Sequence, residues 1–169
     1  MKSILLISDT HSFLDARVVK HIKQADEVWH AGDIGDISIT DEISKLCPKL
    51  KAVYGNVDNQ IIRSEFPLNL FFTVENRNIW ITHIGGYPPK YRAEIEKTIQ
   101  ERNVHLFICG HSHILKVMYD KKNDCLHMNP GAIGKHGFQK VQTALKFVID
   151  GNNIRDLQII ELDMTKRVN

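Results

Sequence analysis

The chain has 169 residues, of which 43% are hydrophobic, and its 22 basic and 20 acidic side chains leave a formal net charge of +2. That size suits one domain spanning 1–169 around one substantial core. The charges are interspersed, with only short basic pairs such as Lys121-Lys122 and Lys166-Arg167. This disfavours a dedicated nucleic-acid binder, which needs a clustered basic stripe.

The first apolar run, Ile4-Leu5-Leu6-Ile7, is too short for a signal core or a membrane span. It leads into Ser8-Asp9-Thr10-His11. In extended chain the Asp9 and His11 side chains point to one side of the backbone. Residues 14–24 place Leu14, Val18, Val19 and Ile22 on one helical stripe. A second strand-like run, Glu27-Val28-Trp29-His30, leads to Ala31-Gly32-Asp33, and residues 39–46 form a shorter helix candidate. Lys51-Ala52-Val53-Tyr54 then leads to Gly55-Asn56-Val57-Asp58, and Ile79-Trp80-Ile81 to Thr82-His83. Residues 90–102 set Tyr91, Ile95 and Ile99 four apart, with Pro88-Pro89 marking the start of a third helix. Leu106-Phe107-Ile108-Cys109 ends in Gly110-His111-Ser112-His113, whose two histidines again aim to one side in extended chain.

This alternation predicts βαβ units and a mainly parallel sheet. The second half predicts strands over 115–120, 125–128, 143–149 and 154–162, with hairpin turns at Asn123-Asp124 and Gly151-Asn152-Asn153. A parallel set followed by an antiparallel one predicts an α/β fold: a four-layer α-β-β-α sandwich of two packed mixed sheets. Residues that follow strands in such sheets gather at one edge, where these folds bind ligands.

Each polar residue at these exits has an ordinary reading when taken alone. Asp9 could cap a helix, Asp33 and Asn56 could serve turns, and His83 and His105 could cap strands. His21 reads as a solvent-facing helix residue, and His30 and His127 as core or supporting groups. The cysteines, Cys47, Cys109 and Cys125, lack Cys-x-x-Cys spacing. They fit buried thiols in a reduced, cytoplasmic protein with no membrane attachment.

The ordered set D-x-H, G-D, G-N, T-H and G-H-x-H resembles the calcineurin-like metallophosphoesterase superfamily, nearest its small cap-less phosphodiesterase branch. Asn129-Pro130-Gly131-Ala132 is similar to a segment of the same branch. The resemblance implies two divalent metal ions, Mn foremost, with Fe, Zn, Ni or Mg as alternatives. One ion would be held by Asp9, His11, Asp33 and His113, the other by Asp33, Asn56, His83 and His111, with Asp33 as the bridge. It implies hydrolysis of a phosphodiester through a metal-bridging hydroxide, with Asp33, Asn56, His111 and, in a supporting role, Asp58 at the catalytic centre and no side-chain nucleophile.

The chain departs from the wider superfamily at Val57, where a leaving-group histidine commonly stands, and at Gly85, where the second histidine of H-G-H would be. Asp58 is expected to orient a ligand histidine or to stabilise its turn. Tyr87 and Lys90 are candidate substrate contacts. In the loop from Gly131 to Gly137, backbone N–H groups with Lys135 and His136 could receive a phosphate, or the glycines could simply permit a tight connection. The expected partner is a small phosphodiester, and relatives in this branch often self-associate. A phosphomonoesterase of the same fold is the alternative enzyme. The alternative without chemistry is a binding scaffold, a use to which a retromer subunit resembling this branch is put.

Overall fold

The computed structural model describes residues 1–165; the Lys166-Arg167 pair lies outside them. The elements run β1 (Lys2–Ile7), α1 (Ala16–Lys23), β2 (Glu27–His30), α2 (Ile37–Leu46), β3 (Leu50–Ala52), α3 (Gln60–Glu65), β4 (Asn69–Val74) and β5 (Arg77–Thr82). They continue with α4 (Ala93–Glu101), β6 (Leu106–Ile108), β7 (Leu115–Asp120), β8 (Cys125–Pro130), β9 (Val141–Asp150) and β10 (Asn153–Asp163).

Two five-stranded sheets result, ordered β10-β9-β1-β2-β3 and β4-β5-β6-β8-β7. Strands β1, β2 and β3 are parallel, with Leu6 opposite Trp29 and Trp29 opposite Lys51. The β9–β10 hairpin returns to this first sheet, because β9 pairs antiparallel with β1 at Ile4 and Phe147. In the second sheet β5, β6 and β8 are parallel, and β4 and β7 close its edges antiparallel. Parallel and antiparallel strands therefore mix within each sheet; the order along the chain does not separate them.

Strand alternation explains the layers. Ile4 and Leu6 of β1 face the second sheet with Trp29, Ile79, Ile81, Leu106 and Phe147. Leu5 and Ile7 face the other way, onto Val18 and Ile22 of α1 and Ile43 of α2. The outer face of the second sheet packs Trp80 and Phe107 against Ile95 and Ile99 of α4. Three apolar seams thus bind four layers. Each fully buried Leu, Ile or Phe side chain contributes about 1.5–3 kcal/mol.

Asp15, Asp36 and Asn59 cap α1, α2 and α3 by accepting from Arg17 N, Ser38 N and Ile62 N. The third predicted helix starts later than its stripe suggests: Arg92 is extended at φ −65°, ψ 148°, and Lys90 N closes a turn on Tyr87 O. Tyr91 stays outside the helix and packs its ring against Phe107. Helix α3 and strand β4 have no counterpart in the sequence reading. Six residues are too few for a helical period, and β4 is a half-buried edge without a clean alternation. Among the described residues, no helix is long and apolar enough to cross a membrane.

Candidate metal centre

Five loops at the C-terminal ends of β1, β2, β3, β5 and β6 converge where the two sheets meet. Two groups of side chains gather there: Asp9, His11 and His113, and Asp33, His83 and His111. In the first, His113 Nε2 lies 3.1 Å from Asp9 Oδ1, and the Nε2 atoms of His11 and His113 are 3.3 Å apart. In the second, His83 Nε2 lies 3.2 Å from Asp33 Oδ2 and 3.1 Å from Asn56 Oδ1. Asp33 Oδ2 is also 3.8 Å from His11 Nε2, which places this carboxylate between the groups.

Convergence is not achieved by extended chain. Asp9, His11, Asp33, His111 and His113 all have positive φ, between 45° and 68°. The left-handed backbone is uncommon for side chains other than glycine. This corrects the expectation that D-x-H and H-x-H point their pairs to one side by strand alternation. Asp9 and His11 do meet, but His111 and His113 diverge, one to each group. The bends are fixed by backbone bonds from Asp9 N to Gly32 O, His11 N to Asp33 O and Gly110 N to His83 O.

Glycines allow the loops to close. A Cβ on Gly55 would strike the Asp33 carboxylate, and one on Gly110 would strike Ser8 Oγ and Asp9 Oδ2. Ser8 Oγ donates to Asp9 Oδ2 at 2.6 Å, and His111 N donates to the same oxygen. Val57 N donates to Asp33 Oδ1 at 3.1 Å.

The donor set fits divalent cations. His83 Nδ1 faces the Ala31 carbonyl at 2.7 Å and must donate to it, so a neutral His83 turns a lone pair towards Asp33 and Asn56, which are themselves acceptors. Buried Asp9 Oδ1 lacks a properly directed hydrogen bond although His113 Nε2 is close. Acceptors directed at acceptors are the arrangement that a shared cation satisfies. Carboxylate, amide oxygen and imidazole without thiolate suit Mn-, Fe-, Zn- or Mg-class ions. The Cys109 thiol is turned to Gly86 O, and burial pushes its pKa up to about 12.

The carboxylates and imidazoles also shift one another's proton affinities. Burial pulls the His83 pKa down, but the Asp33 hydrogen bond and the fields of Asp9 and Asp33 outweigh it and leave it raised. The Asp9 carboxylate, 3.1 Å from its Nε2, is the main cause that raises His113. His11 is lowered, chiefly by burial.

The remaining predicted residues separate. His136 lies at the rim, its ring centroid 4.7 Å from that of His11, and it lines a cleft of about 580 Å³ together with Asn56 and His111. Tyr87 and Lys90 line a neighbouring cleft that His111 shares, and Lys116 stacks its ammonium 4.1 Å above the Tyr87 ring.

Lys135 does not join the cluster, because its ammonium sits 3.9 Å above the Phe13 ring. In the glycine-rich loop three N–H groups are already used: Gly131 N donates to Asn129 Oδ1, and Ile133 N and Gly134 N donate to Ser8 O and Asp9 O. Of the two readings of Asp58, the hydrogen bonds are those of the turn-stabilising one. The Asp58 carboxylate accepts from Gly35 N at 2.8 Å and Gly55 N at 2.7 Å, tying two loops together. His21 is half-buried rather than fully solvent-facing. His105 serves the start of β6 by accepting from Asn78 N, and buried His30 pairs with Thr10.

Gln139 escaped the sequence reading. Its Oε1 faces His113 Nδ1 at 3.1 Å, and its amide donates to Gly134 O and His136 O. No local pattern marks it. Asn129 was visible only as part of a segment; its amide donates to Gly110 O at 2.9 Å and Ser112 Oγ at 3.2 Å, bracing the H-x-H loop.

Comparison with known proteins places the fold. Residues 1–152 match the family model described as the calcineurin-like phosphoesterase superfamily domain. No curated protein matches the sequence. Among solved structures, Vps29 from Entamoeba histolytica complexed with zinc is similar at TM-score 0.74 and 16% identity, covering 95% of this chain and 98% of that one. A structure described as a novel archaeal phosphodiesterase gives 0.71 and 22%, covering 95% and 99%. A predicted phosphoesterase from Streptococcus pneumoniae gives 0.69 and 19%, covering 99% and 92%. At these identities the likeness is one of fold.

Proposed function

This chain belongs to the calcineurin-like phosphoesterase superfamily, and from that premise we propose that it is a metal-dependent phosphodiesterase acting on a small phosphodiester in the cytoplasm. The observation that carries this reading is the acceptor-on-acceptor geometry around Asp33, which joins two ligand groups through one carboxylate. Asp9, His11, Asp33 and His113 would hold one divalent ion, and Asp33, Asn56, His83 and His111 the other, Mn being our first choice. Such a pair supplies a water of lowered pKa and charge to neutralise the phosphoryl oxygens.

The protein's own part is positioning. Ala31 O fixes the His83 tautomer, Gln139 holds the His113 ring, and Val57 N anchors Asp33. Asn56 and His111 are exposed at the cleft and can also meet the phosphoryl group. Val57 contributes no side-chain proton, so the leaving group must depart without a general acid at that position. This favours esters with stable leaving groups. All three cysteines are free and buried, which supports a reduced compartment.

The test is hydrolysis of bis(p-nitrophenyl) phosphate by chelator-stripped protein with Mn²⁺ restored, with p-nitrophenyl phosphate run in parallel. Metal-dependent turnover that favours the diester is expected. Preference for the monoester would reassign the chain as a phosphomonoesterase, and no turnover with any divalent ion would leave the scaffold reading.

A further inference from the structure

A second cavity, of about 430 Å³, opens beside the metal centre and shares Asn56 and His83 with it. Its volume lies in the range of small-molecule pockets. Among the described residues, its only charged side chains besides His83 are two arginines, Arg63 and Arg92, and no carboxylate lines it. This is unusual in a chain whose charges nearly balance.

The two guanidinium groups are held differently. Arg63 donates to the carbonyl oxygens of Asp58 at 2.7 Å and Asn56 at 3.2 Å, and stacks 5.0 Å from the Tyr54 ring centre. It is fixed in place by neutral groups, so its positive charge is not compensated. Arg92 is exposed at the N-terminal end of α4, caps nothing with its side chain, and forms no ion pair among the described residues. It also lines the adjoining cleft with Lys90, again without a carboxylate. Leu68 and Ile84 also line it, leave 50% and 38% of their surfaces exposed and give the cavity apolar lining.

We propose that this cavity is a subsite for one ester group of the substrate, an apolar body bearing a second anionic group that pairs with Arg92 and Arg63. The chemistry is specific. Guanidinium forks match carboxylate or phosphate oxygens, and pairing is stronger where the cation has no competing partner. The apolar wall receives the carbon skeleton between the scissile phosphate and the second anion. The proposal rests on the phosphodiesterase reading and narrows its substrate class to diesters with an additional negative charge on one alcohol.

The test compares binding of thymidine 3′,5′-bisphosphate with that of thymidine 5′-monophosphate by titration calorimetry at saturating Mn²⁺, using wild type and Arg92→Met. Wild type should bind the bisphosphate about tenfold more tightly, the increment of one charge-assisted contact. In Arg92→Met that advantage should fall to near one, with the thermal melt confirming that the variant is folded. Equal affinities in wild type, or an advantage retained in Arg92→Met, would overturn the subsite. Absence of bis(p-nitrophenyl) phosphate turnover by the same wild-type preparation would overturn the catalytic reading alone, while the affinity ratio would still decide the subsite.

Discussion

Five candidate ligands occupy backbone conformations that cost about 1–3 kcal/mol each when they are not glycine. Asp9, Asp33 and His113 are among them, and each is held by contacts from a different segment of chain: His111 N, Val57 N and Gln139 Oε1. Such cost persists where the surroundings over-determine the geometry, which is the situation of a prearranged site. The identity of these residues was legible because polar side chains ending apolar runs stand out. Their conformation was not, since neither Asp nor His announces a positive φ. The same blindness put Lys135 near the cluster and left two readings of Asp58 open: a sequence shows that a charge is near the site but not which neighbour it meets. Asp33→Ala removes the carboxylate between the two groups. Turnover is expected to fall by more than about a hundredfold, with bound Mn at half or less of the wild-type level by elemental analysis. Full activity at unchanged metal content would remove Asp33 from the centre.

At the scale of elements, β2 is anchored by a buried carboxylate at its first residue. Glu27 accepts from Lys2 of β1, Lys51 of β3 and Trp29 Nε1, so one side chain links three parallel strands. Burial works to raise its pKa, but these donors outweigh it and hold it at about 2, against an ordinary value of 4.5. A carboxyl depressed in the folded state contributes stability that is complete above about pH 4.5 and fades as pH falls towards 2. Glu27→Gln should therefore destabilise the protein by about 2 kcal/mol at pH 7. The gap from wild type should narrow between pH 4.5 and 2 when both are unfolded in urea. A gap that widened in acid would show that Glu27 is not the stabilising charge. The anchored strand itself was easy to read from sequence, since β2 is four buried residues in a row. The edge strand β4 and the short α3 were not, because neither presents a full apolar face to any one layer.

For the whole molecule, local signals predicted the hairpin of β9 and β10 but could not say which sheet receives it. That choice depends on which apolar face β9 completes: on the inner face of the first sheet Phe147 of β9 meets Trp29 of β2 at 5.8 Å, and Trp29 in turn meets Phe72 of the second sheet across the seam at 5.0 Å. The four-layer architecture follows from strand alternation, whereas the strand order within each sheet follows from which faces fit. The candidate centre lies across the same seam: Asp9, His11 and Asp33 come from the first sheet, and His83, His111 and His113 from the second. A ligand that binds only the folded state stabilises it by about 2.7 kcal/mol at a hundredfold excess over its dissociation constant. Mn²⁺ at that excess should raise the melting temperature of stripped protein by about 5–10 °C, and Asp33→Ala should abolish most of the shift. An unshifted wild type would argue against cation binding.

One packing contact also bears on the order of assembly during synthesis. Asp9 is made near the start of the polypeptide, yet its carbonyl is gripped by Gly134 N and that of Ser8 by Ile133 N, while β1 rests against β9. A growing chain that has emerged only as far as His113 already contains every candidate ligand but lacks the segments that brace the first of them. The complete geometry of the candidate ligands therefore belongs to a chain in which β9 has docked, and on the proposed function the ions would be loaded after that step.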